Sequence, residues 1–304
     1  MMREYCFCVA DFVFALRLPS DKEVETLLPS FAPFRCDPAD AEQPVLRAEV
    51  LPYSDFRQND LCTLLDDGVN DMGHVRFYAF SGGYQVNVSY SEGEPCHYML
   101  ADKCFHDVRI YLCWSDKRVG DVLASFLRIA FSQAILPCHA VSVHASTVYM
   151  NGKSYLFWGK SGTGKSTHAA LWMKHYVGCQ LLNDDNPVVR VCGGQVVVYG
   201  TPWSGKTPCY KNMSFPVQGM VRLYQAQTNK FVTCRGIDAF VALIPGCAVI
   251  TSDLDLYDHM CDTIASIVQK VRVGVLHCRP DVEAAEVCLG ALVNNGSIWS
   301  ASLE

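Results

Sequence analysis

The hydrophobic pattern of the N-terminal part of the chain consists of short alternating runs separated by polar turns. Alternation of apolar and polar positions is typical of half-buried strands. The predicted strands cover residues 45–51, 74–80, 84–90, 97–101 and 108–114. A Gly82-Gly83 step between the second and third runs predicts a hairpin. We therefore predict an antiparallel, β-rich N-terminal domain of unassigned role over residues 1–118.

After residue 118 the pattern changes, and helical spacing occurs together with strand-like runs. Residues 119–136 carry apolar side chains at helical spacing, and Pro137 follows directly. Further strands are expected over residues 138–149, 154–158, 180–182, 187–191, 195–199 and 271–277, and further helices near residues 168–172, 237–243, 253–269 and 280–292. We therefore predict a second domain over residues 119–304 of the α/β (α+β) class, which combines helices with strands.

Composition and charge exclude several classes of protein. The chain of 304 residues is 50% hydrophobic and 18% charged, with a formal net charge of -6. Nucleic-acid backbones attract clustered positive charge, and no run of Lys or Arg occurs, so we expect no nucleic-acid partner. No apolar stretch approaches the roughly 18 residues that a spanning helix needs. We therefore expect no membrane segment, and we interpret residues 1–16 as a first strand rather than a secretory signal.

The 16 cysteines do not have the spacing of a disulfide framework. Only Cys6 and Cys8 lie close together in the sequence, and no C-x-x-C occurs. We interpret the cysteines as small apolar residues in a reducing compartment, which predicts a cytoplasmic protein.

The motif with the most specific chemistry is a glycine-rich loop between a predicted strand and a predicted helix. It reads GKSGTGKST and fits the P-loop pattern G-x-x-x-x-G-K-[ST]. The glycines let backbone N–H groups turn toward a phosphate, at which the helix dipole also points. Lys165 is expected to reach the β- and γ-phosphates, and Ser166 to bind Mg²⁺. The predicted nucleotide-binding residues are Gly159, Lys160, Ser161, Gly162, Thr163, Gly164, Lys165, Ser166 and Thr167.

Two adjacent carboxylates, Asp184 and Asp185, follow an apolar strand in the sequence LLNDD. Mg²⁺ opposite Ser166 needs a carboxylate partner, and a second carboxylate is then available as a general base. We assign the base to Asp184 and the metal to Asp185. Adjacent strand residues point to opposite faces, so the sequence leaves the reverse order open, and a simple polar turn is the alternative.

Two further residues are candidates for the same site. His144 lies on the strand before the loop, which a hairpin brings close to the phosphates; the alternative is a core or interface histidine. Lys206 ends the loop sequence TPWSGK. It is expected to stabilise the transferring phosphoryl group or to hold an acidic substrate, and the alternative is an exposed turn lysine.

Together these motifs resemble the superfamily of HPr kinase/phosphorylase and phosphoenolpyruvate carboxykinase, and most closely its short HPr-kinase-like members, which phosphorylate hydroxyls on small molecules or peptides. The resemblance spans residues 138–293 and is carried by GKSGTGKST, LLNDD, HAS at residues 144–146, GTPWSGK and the closing LHCRPD. It implies a mixed central sheet with the P-loop at its centre. It also implies a histidine beside the phosphates and an acidic pair that serves metal binding and proton transfer.

Two departures from the family narrow the expected activity. The arginine-glycine signature with which HPr kinases recognise their protein partner is absent from the sequence, and GTPWSGK occupies its place. The chain is also shorter than carboxykinases and lacks their full arginine and metal-lysine set, so decarboxylation is not expected.

We therefore predict a kinase that uses ATP and Mg²⁺ to phosphorylate a serine-like hydroxyl on a small molecule or peptide. Two alternatives stay open: an ATP-sensing regulatory module with a protein partner, and a bifunctional kinase/phosphorylase. The acceptor, the nucleotide preference and the oligomeric state are not decided by the sequence, and a homo-oligomer is possible.

Overall fold

The computed structural model describes residues 1–38, 43–58, 62–70, 73–90, 94–205 and 207–293. The chain divides into two compact units: Met1–Cys138 with Val249–Tyr257, and His139–Ala248 with Asp258–Glu304. Each unit contains a large mixed sheet and helices. This division differs from the domain boundary expected after residue 118, because the helix that follows packs on strands of the first unit.

The first unit contains a sheet of nine strands, counted over the described residues. Its order is β3-β1-β2-β4-β9-β8-β7-β6-β5. Strands occur in each of the five predicted ranges. The elements are β1 Met2–Val9, β2 Phe12–Pro19, α1 Val24–Leu27, β3 Arg35–Cys36, β4 Leu46–Leu51, β5 Thr63–Asn70, β6 Gly73–Phe80, β7 Gly83–Ser89, β8 His97–Asp102, β9 Asp107–Tyr111 and α2 Val119–Ala134.

The expectation of a purely antiparallel sheet is wrong at β4, which pairs in parallel with both β2 and β9. Parallel neighbours need a crossover rather than a tight turn. The connection from β2 to β4 contains α1 and a 3₁₀ turn at Pro29–Phe34. Both elements are too short to leave a helical period in the sequence.

The hairpin expected at Gly82-Gly83 is confirmed, since β6 and β7 pair antiparallel with Phe80 opposite Gly83. A second hairpin joins β1 and β2, where only one strand was expected. Its turn residues Ala10 and Asp11 both have positive φ, 54° and 60°. Such a turn normally carries Gly or Asn, so its usual sequence signal is missing here.

The segment Val249–Tyr257 completes the first unit from a distant part of the sequence. The Tyr84 hydroxyl donates a hydrogen bond to the Asp253 carboxylate. The backbone N–H of Ile250 donates to Oε1 of Gln133 at 3.1 Å. The first unit is therefore discontinuous in sequence.

The second unit also contains a nine-stranded sheet over the described residues. The order is β10-β14-β15-β16-β12-β11-β13, with β18 paired to β16 and β17 paired to β18. The elements are β10 Ala140–Ser142, β11 Ala145–Met150, β12 Lys153–Trp158, α3 Lys165–His175, β13 Gln180–Asp185, β14 Val188–Cys192, β15 Gln195–Tyr199, β16 Ser214–Gln225, β17 Lys230–Cys234, α4 Gly236–Leu243, α5 Leu254–Val268, β18 Arg272–Cys278 and α6 Val282–Val293. The part of α5 before Asp258 belongs to the first unit.

Strand direction places four carboxyl ends at one edge of this sheet. β12, β16 and β18 are parallel neighbours. β11 is antiparallel to both β12 and β13, so β13 runs in the direction of β12. The carboxyl ends of β12, β13, β16 and β18 therefore lie at the same edge, the side on which open α/β sheets bind ligands.

Helix α3 packs on this sheet through Trp172, which is fully buried. The Trp172 ring lies 4.8 Å from the ring of Tyr155 and 5.1 Å from that of Phe157, both on β12. The same core includes Cys288 of α6. Burying an aromatic side chain of this size stabilises a fold by about 2–3 kcal/mol, which anchors the helix that follows the glycine-rich loop.

All 16 cysteines lie within the described residues, and none of them forms a disulfide there. Four are buried, namely Cys6, Cys179, Cys209 and Cys288, and the others are partly or fully exposed. The interpretation of the cysteines as apolar core residues therefore holds for these four only.

Across the part of the chain that the structure describes, no helix has the combination of length and apolar character needed to cross a bilayer.

His168 is a buried polar residue within α3 that the sequence did not single out. Its Nε2 accepts a hydrogen bond from the Trp172 indole N–H at 3.0 Å. Because an indole only donates, Nε2 carries no proton and the ring is neutral. Burial lowers the pKa of His168 to about 4. Among the described residues, its Nδ1 has no hydrogen-bond partner.

We expect His168 to make the fold less stable at acid pH. Its pKa is about 4 in the folded chain against 6.5 when unperturbed, so between these values the unfolded state binds more protons. The contribution of neutral His168 to the free energy of unfolding is complete above pH 6.5. It decreases by about 3 kcal/mol in total as the pH falls to 4. Urea unfolding of wild type and His168→Phe at a series of pH values measures this difference. An identical pH dependence in both proteins would contradict it.

Candidate active site

The glycine-rich loop, residues 159–164, connects the end of β12 to the start of α3. Gly162 and Gly164 have φ values of +79° and +96°, a region that other residues rarely adopt. The Thr163 hydroxyl donates to the Lys160 carbonyl at 2.8 Å, and Nε2 of Gln225 donates to the Gly162 carbonyl at 3.0 Å. The loop thus has a defined shape, fixed in part by the last residue of β16.

Lys165, the first residue of α3, lies partly buried over the loop. Its Nζ donates to the carbonyls of Gly159 at 3.1 Å and Lys160 at 3.4 Å. Burial lowers the pKa of Lys165, while the charges of Asp185 and Asp184 act in the opposite direction. The ammonium group therefore lies in the field of both carboxylates and close to the loop carbonyls.

Asp184 lies near the end of β13 and is almost fully buried, with 5% of its surface exposed. Its Oδ1 accepts a hydrogen bond from the Ser166 hydroxyl at 2.9 Å and another from the Ser146 hydroxyl. Ser146 is the residue opposite Asp184 in the pairing of β11 with β13. The carboxylate is thus fixed by a serine from the helix and a serine from the neighbouring strand.

Asp185 pairs with His144 rather than with a serine. His144 Nδ1 lies 2.8 Å from Asp185 Oδ1, and the two side chains are 50% and 14% exposed respectively. The strand expected over residues 138–149 is interrupted here: β10 ends at Ser142 and β11 begins at Ala145. The backbone N–H of His144 donates to the Gly246 carbonyl at 2.7 Å. This interruption brings the histidine to the strand end that carries the carboxylates.

A buried polar network holds the turn that carries both carboxylates. The Asn186 side-chain amide donates to Asp185 Oδ2 at 3.1 Å, and its backbone N–H donates to Asn183 Oδ1 at 2.9 Å. Asn183 Nδ2 donates to the Trp203 carbonyl at 2.9 Å. The Thr201 hydroxyl donates to the Asn186 carbonyl at 2.7 Å. Asn183, Asn186 and Thr201 are buried, so the network fixes both carboxylates with little freedom to move.

The residues after Thr201 approach the carboxylates closely. The backbone N–H of Gly205 donates to the Asp184 carbonyl at 2.5 Å. A Cβ at Gly205 would lie 2.8 Å from the same carbonyl oxygen, so a larger residue does not fit without a shift. Trp203 is buried, with 6% exposed. The predicted site residue Lys206 lies outside the described residues.

The structure brings five predicted residues together: His144, Lys165, Ser166, Asp184 and Asp185. The sequence analysis did not assign a role to Ser146, Asn183, Asn186, Thr201 or Gln225. Ser146 and Thr201 belong to motifs that were recognised, HAS and GTPWSGK, but their partners depend on strand register. Asn183 and Asn186 are of a residue type that is common in turns, so the sequence indicated a polar turn and not a buried network.

The donor set fits a magnesium ion. Within the described residues, no three His, Cys, Asp or Glu side chains are grouped so as to hold a metal. Mg²⁺ does not need such a group, since it typically takes one or two carboxylates together with substrate phosphates and water. The Ser166 hydroxyl and the Asp184 carboxylate, 2.9 Å apart, form a suitable pair of oxygen donors.

Comparison of the sequence with protein-family models gives no match. The curated proteins compared with it give none either. Among solved structures, the chain is similar to the HPr(Ser) kinase/phosphatase from Coxiella burnetii, with a TM-score of 0.29 and 13% sequence identity, over 51% of this chain and 94% of that chain. A likeness at this TM-score carries no weight for fold or activity, so the function is inferred from the site geometry and the sequence motifs.

We expect Ser146→Ala to destabilise the fold by about 1–3 kcal/mol, because it removes a donor from a buried carboxylate. Ser266→Ala is the control, since the Ser266 hydroxyl donates a solvent-exposed hydrogen bond to the Asp262 carbonyl of its own helix and touches no carboxylate of the site. Urea unfolding of Ser146→Ala, Asp184→Asn and the double variant measures the coupling between the two residues. A coupling energy near zero would show that the Ser146–Asp184 hydrogen bond contributes nothing to stability.

Proposed function

We propose that this chain is an ATP- and Mg²⁺-dependent kinase of the HPr-kinase-like type, which transfers the γ-phosphoryl group to a hydroxyl on a small molecule or peptide. One observation carries the proposal. A buried carboxylate bonded to Ser166 and a partly buried carboxylate paired with the half-exposed His144 lie side by side, next to the glycine-rich loop. Phosphoryl transfer needs this combination of metal ligand, proton acceptor and phosphate site.

The loop and the start of α3 bind the phosphates of ATP in this proposal. Positive-φ glycines and a helix N-terminus are favourable surroundings for phosphate oxygens. Lys165 Nζ, now bonded to loop carbonyls, is close enough to the loop to exchange these contacts for phosphate oxygens. Its charge then offsets the negative charge that develops during transfer.

Ser166 and Asp184 hold the metal. Bound Mg²⁺ neutralises charge on the phosphates and orients them. This assignment exchanges the two roles expected from the sequence, where Asp185 was the metal ligand and Asp184 the base. The exchange is supported by burial and contacts: Asp184 is the carboxylate bonded to Ser166, and it is too buried to meet an acceptor.

The His144–Asp185 pair takes the proton of the acceptor hydroxyl. A histidine that donates from Nδ1 to a carboxylate has Nε2 as its proton acceptor, and His144 is half exposed. As the acceptor oxygen forms its bond to the γ-phosphorus, the bond from that phosphorus to the bridging oxygen breaks and ADP leaves. The acceptor proton passes to the pair, and Asn186 holds the second oxygen of Asp185 in place.

The same pair favours an enzyme over an ATP-sensing module. A sensor needs phosphate and metal ligands but no accessible proton acceptor beside them. Reverse transfer from a phosphorylated product to inorganic phosphate, the phosphorylase alternative, would use the same groups, and no contact among the described site residues favours it specifically.

Two single substitutions separate the roles of the carboxylates. We expect Asp185→Asn to lower transfer by about 10²- to 10⁴-fold through loss of base chemistry, while ATP affinity changes little. We expect Asp184→Asn to remove most of the effect of Mg²⁺ on ATP affinity. Calorimetric titration with and without Mg²⁺ measures binding. Transfer of label from ATP into fractionated metabolite and peptide extracts measures activity.

Lys165→Ala and Asp258→Asn serve as controls for this experiment. Lys165→Ala should lose ATP binding, whereas the exposed Asp258 should be replaceable without effect on either measurement. If Asp184→Asn abolished transfer with Mg²⁺-dependent binding intact, and Asp185→Asn remained active, the assignment from the sequence would be the correct one. If wild type bound ATP but transferred label to no fraction, the kinase proposal itself would fail.

We also expect His144 and Asp185 to act as one unit. His144→Ala should lower transfer strongly, and adding Asp185→Asn should lower it little further, because groups of one catalytic unit are not additive. Rates of the two single variants and the double variant under single-turnover conditions test this. A double variant whose loss equals the product of the single losses would mean that the two residues act independently.

A further inference from the structure

Two aromatic side chains form a partly exposed stack near the carboxyl ends of β16 and β18. Tyr224 and His277 are directly opposite each other in the parallel pairing of these strands. Their rings are stacked, with centroids 5.4 Å apart and planes inclined by 18°. Tyr224 is 38% exposed. A rigid aromatic surface that is not covered by the core is suited to stacking against a flat ring.

This stack borders the glycine-rich loop. Gln225, the residue after Tyr224, donates to the Gly162 carbonyl at the tip of the loop. β16 is also the immediate parallel neighbour of β12, with Arg222 opposite Trp158, the last residue before the loop. The strand that carries Tyr224 therefore runs along one flank of the loop and contacts it directly.

The carboxylates lie on the opposite flank of the same loop. β13, which carries Asp184, is separated from β12 by β11, whereas β16 and β18 follow on the other side of β12. A triphosphate whose terminal phosphate is beside Ser166 and Asp184 has its nucleoside end directed away from them. We infer that Tyr224 and His277 form the stacking platform for the base of a purine nucleoside triphosphate. This inference rests on the proposed function.

The neighbouring charge supports a fixed platform. The Arg222 guanidinium lies over the Tyr224 ring, 5.2 Å from its centroid. Arg222 precedes Tyr224 by two positions on the strand, so both side chains stand on the same face of the sheet. Cation–π contact of this kind restrains the tyrosine ring. Stacking depends on the flat surface of a base and not on the hydrogen-bonding groups at its edge. We therefore expect the platform to accept adenine and guanine alike.

The test compares a ligand that has a base with one that lacks it. Mg·ATP and Mg·tripolyphosphate are titrated calorimetrically into the full chain as wild type, Tyr224→Ala and Tyr224→Phe. Tyr53→Ala is the control, because Tyr53 is a tyrosine of the first unit with almost the same exposure, 37%. We expect Tyr224→Ala to bind ATP about tenfold more weakly and tripolyphosphate unchanged, and Tyr224→Phe to resemble wild type.

Nucleotide preference gives an independent measurement on the wild-type chain. GTP should bind within a few-fold of ATP, whereas CTP should bind more weakly because its smaller ring offers less surface for stacking. Photocrosslinking with 8-azido-ATP should label peptides that contain Tyr224 or His277. Label confined to other peptides would overturn the platform even if Tyr224→Ala failed to fold.

The possible outcomes separate this inference from the proposed function. If ATP and tripolyphosphate bind wild type through Lys165, yet Tyr224→Ala binds both as wild type does, the platform is wrong and the phosphate site stands. Equal weakening of both ligands in Tyr224→Ala would also overturn the platform, since it indicates damage to the loop. If wild type binds neither ligand, the proposed function fails, and the platform fails with it.

Discussion

The hydrogen bond from Ser166 to Asp184 is the contact on which the proposed site depends, because it joins two elements that the sequence keeps apart. Ser166 belongs to the first turn of α3, and Asp184 is the next-to-last residue of β13, which β11 separates from β12. The bond exists only if β13 runs in the direction of β12, and that direction follows from two antiparallel pairings through β11. Sheet topology, more than any single residue, therefore brings the glycine-rich loop, Ser166 and both carboxylates to one edge of the sheet.

In the proposed mechanism, the two carboxylates take different roles because they are buried to different depths. Two neighbouring aspartates have the same intrinsic acidity, and their environments distinguish them. Asp184 is enclosed by two serine hydroxyls, whereas Asp185 is held between a half-exposed histidine and a buried amide. The Asn183–Asn186–Thr201 network maintains this difference, because it prevents the turn from rotating and exchanging the two side chains.

The elements that could be predicted are those whose signal lies within a short stretch of the sequence. The glycine-rich loop, the helix at α2 and the Gly82-Gly83 hairpin were predictable because spacing and turn chemistry are local properties. β16 was not predicted, since Pro216 and Gly219 interrupt its pattern, and the Ala10-Asp11 turn lacks glycine. The roles of Asp184 and Asp185 depend on strand register and on the break at His144. Both arise from tertiary pairing, so no property of the two residues themselves reveals them.

The discontinuity of the first unit has a consequence for folding on the ribosome. Chains emerge from the N-terminus onward, and domains generally fold as they appear. Here the hydrogen bonds of Tyr84 and Gln133 can form only after Asp253 and Ile250 have been synthesised. By then most of the second unit has emerged, including the glycine-rich loop and the two site aspartates. The nascent β-rich unit thus lacks these contacts during much of translation, and its completion coincides with the emergence of α5.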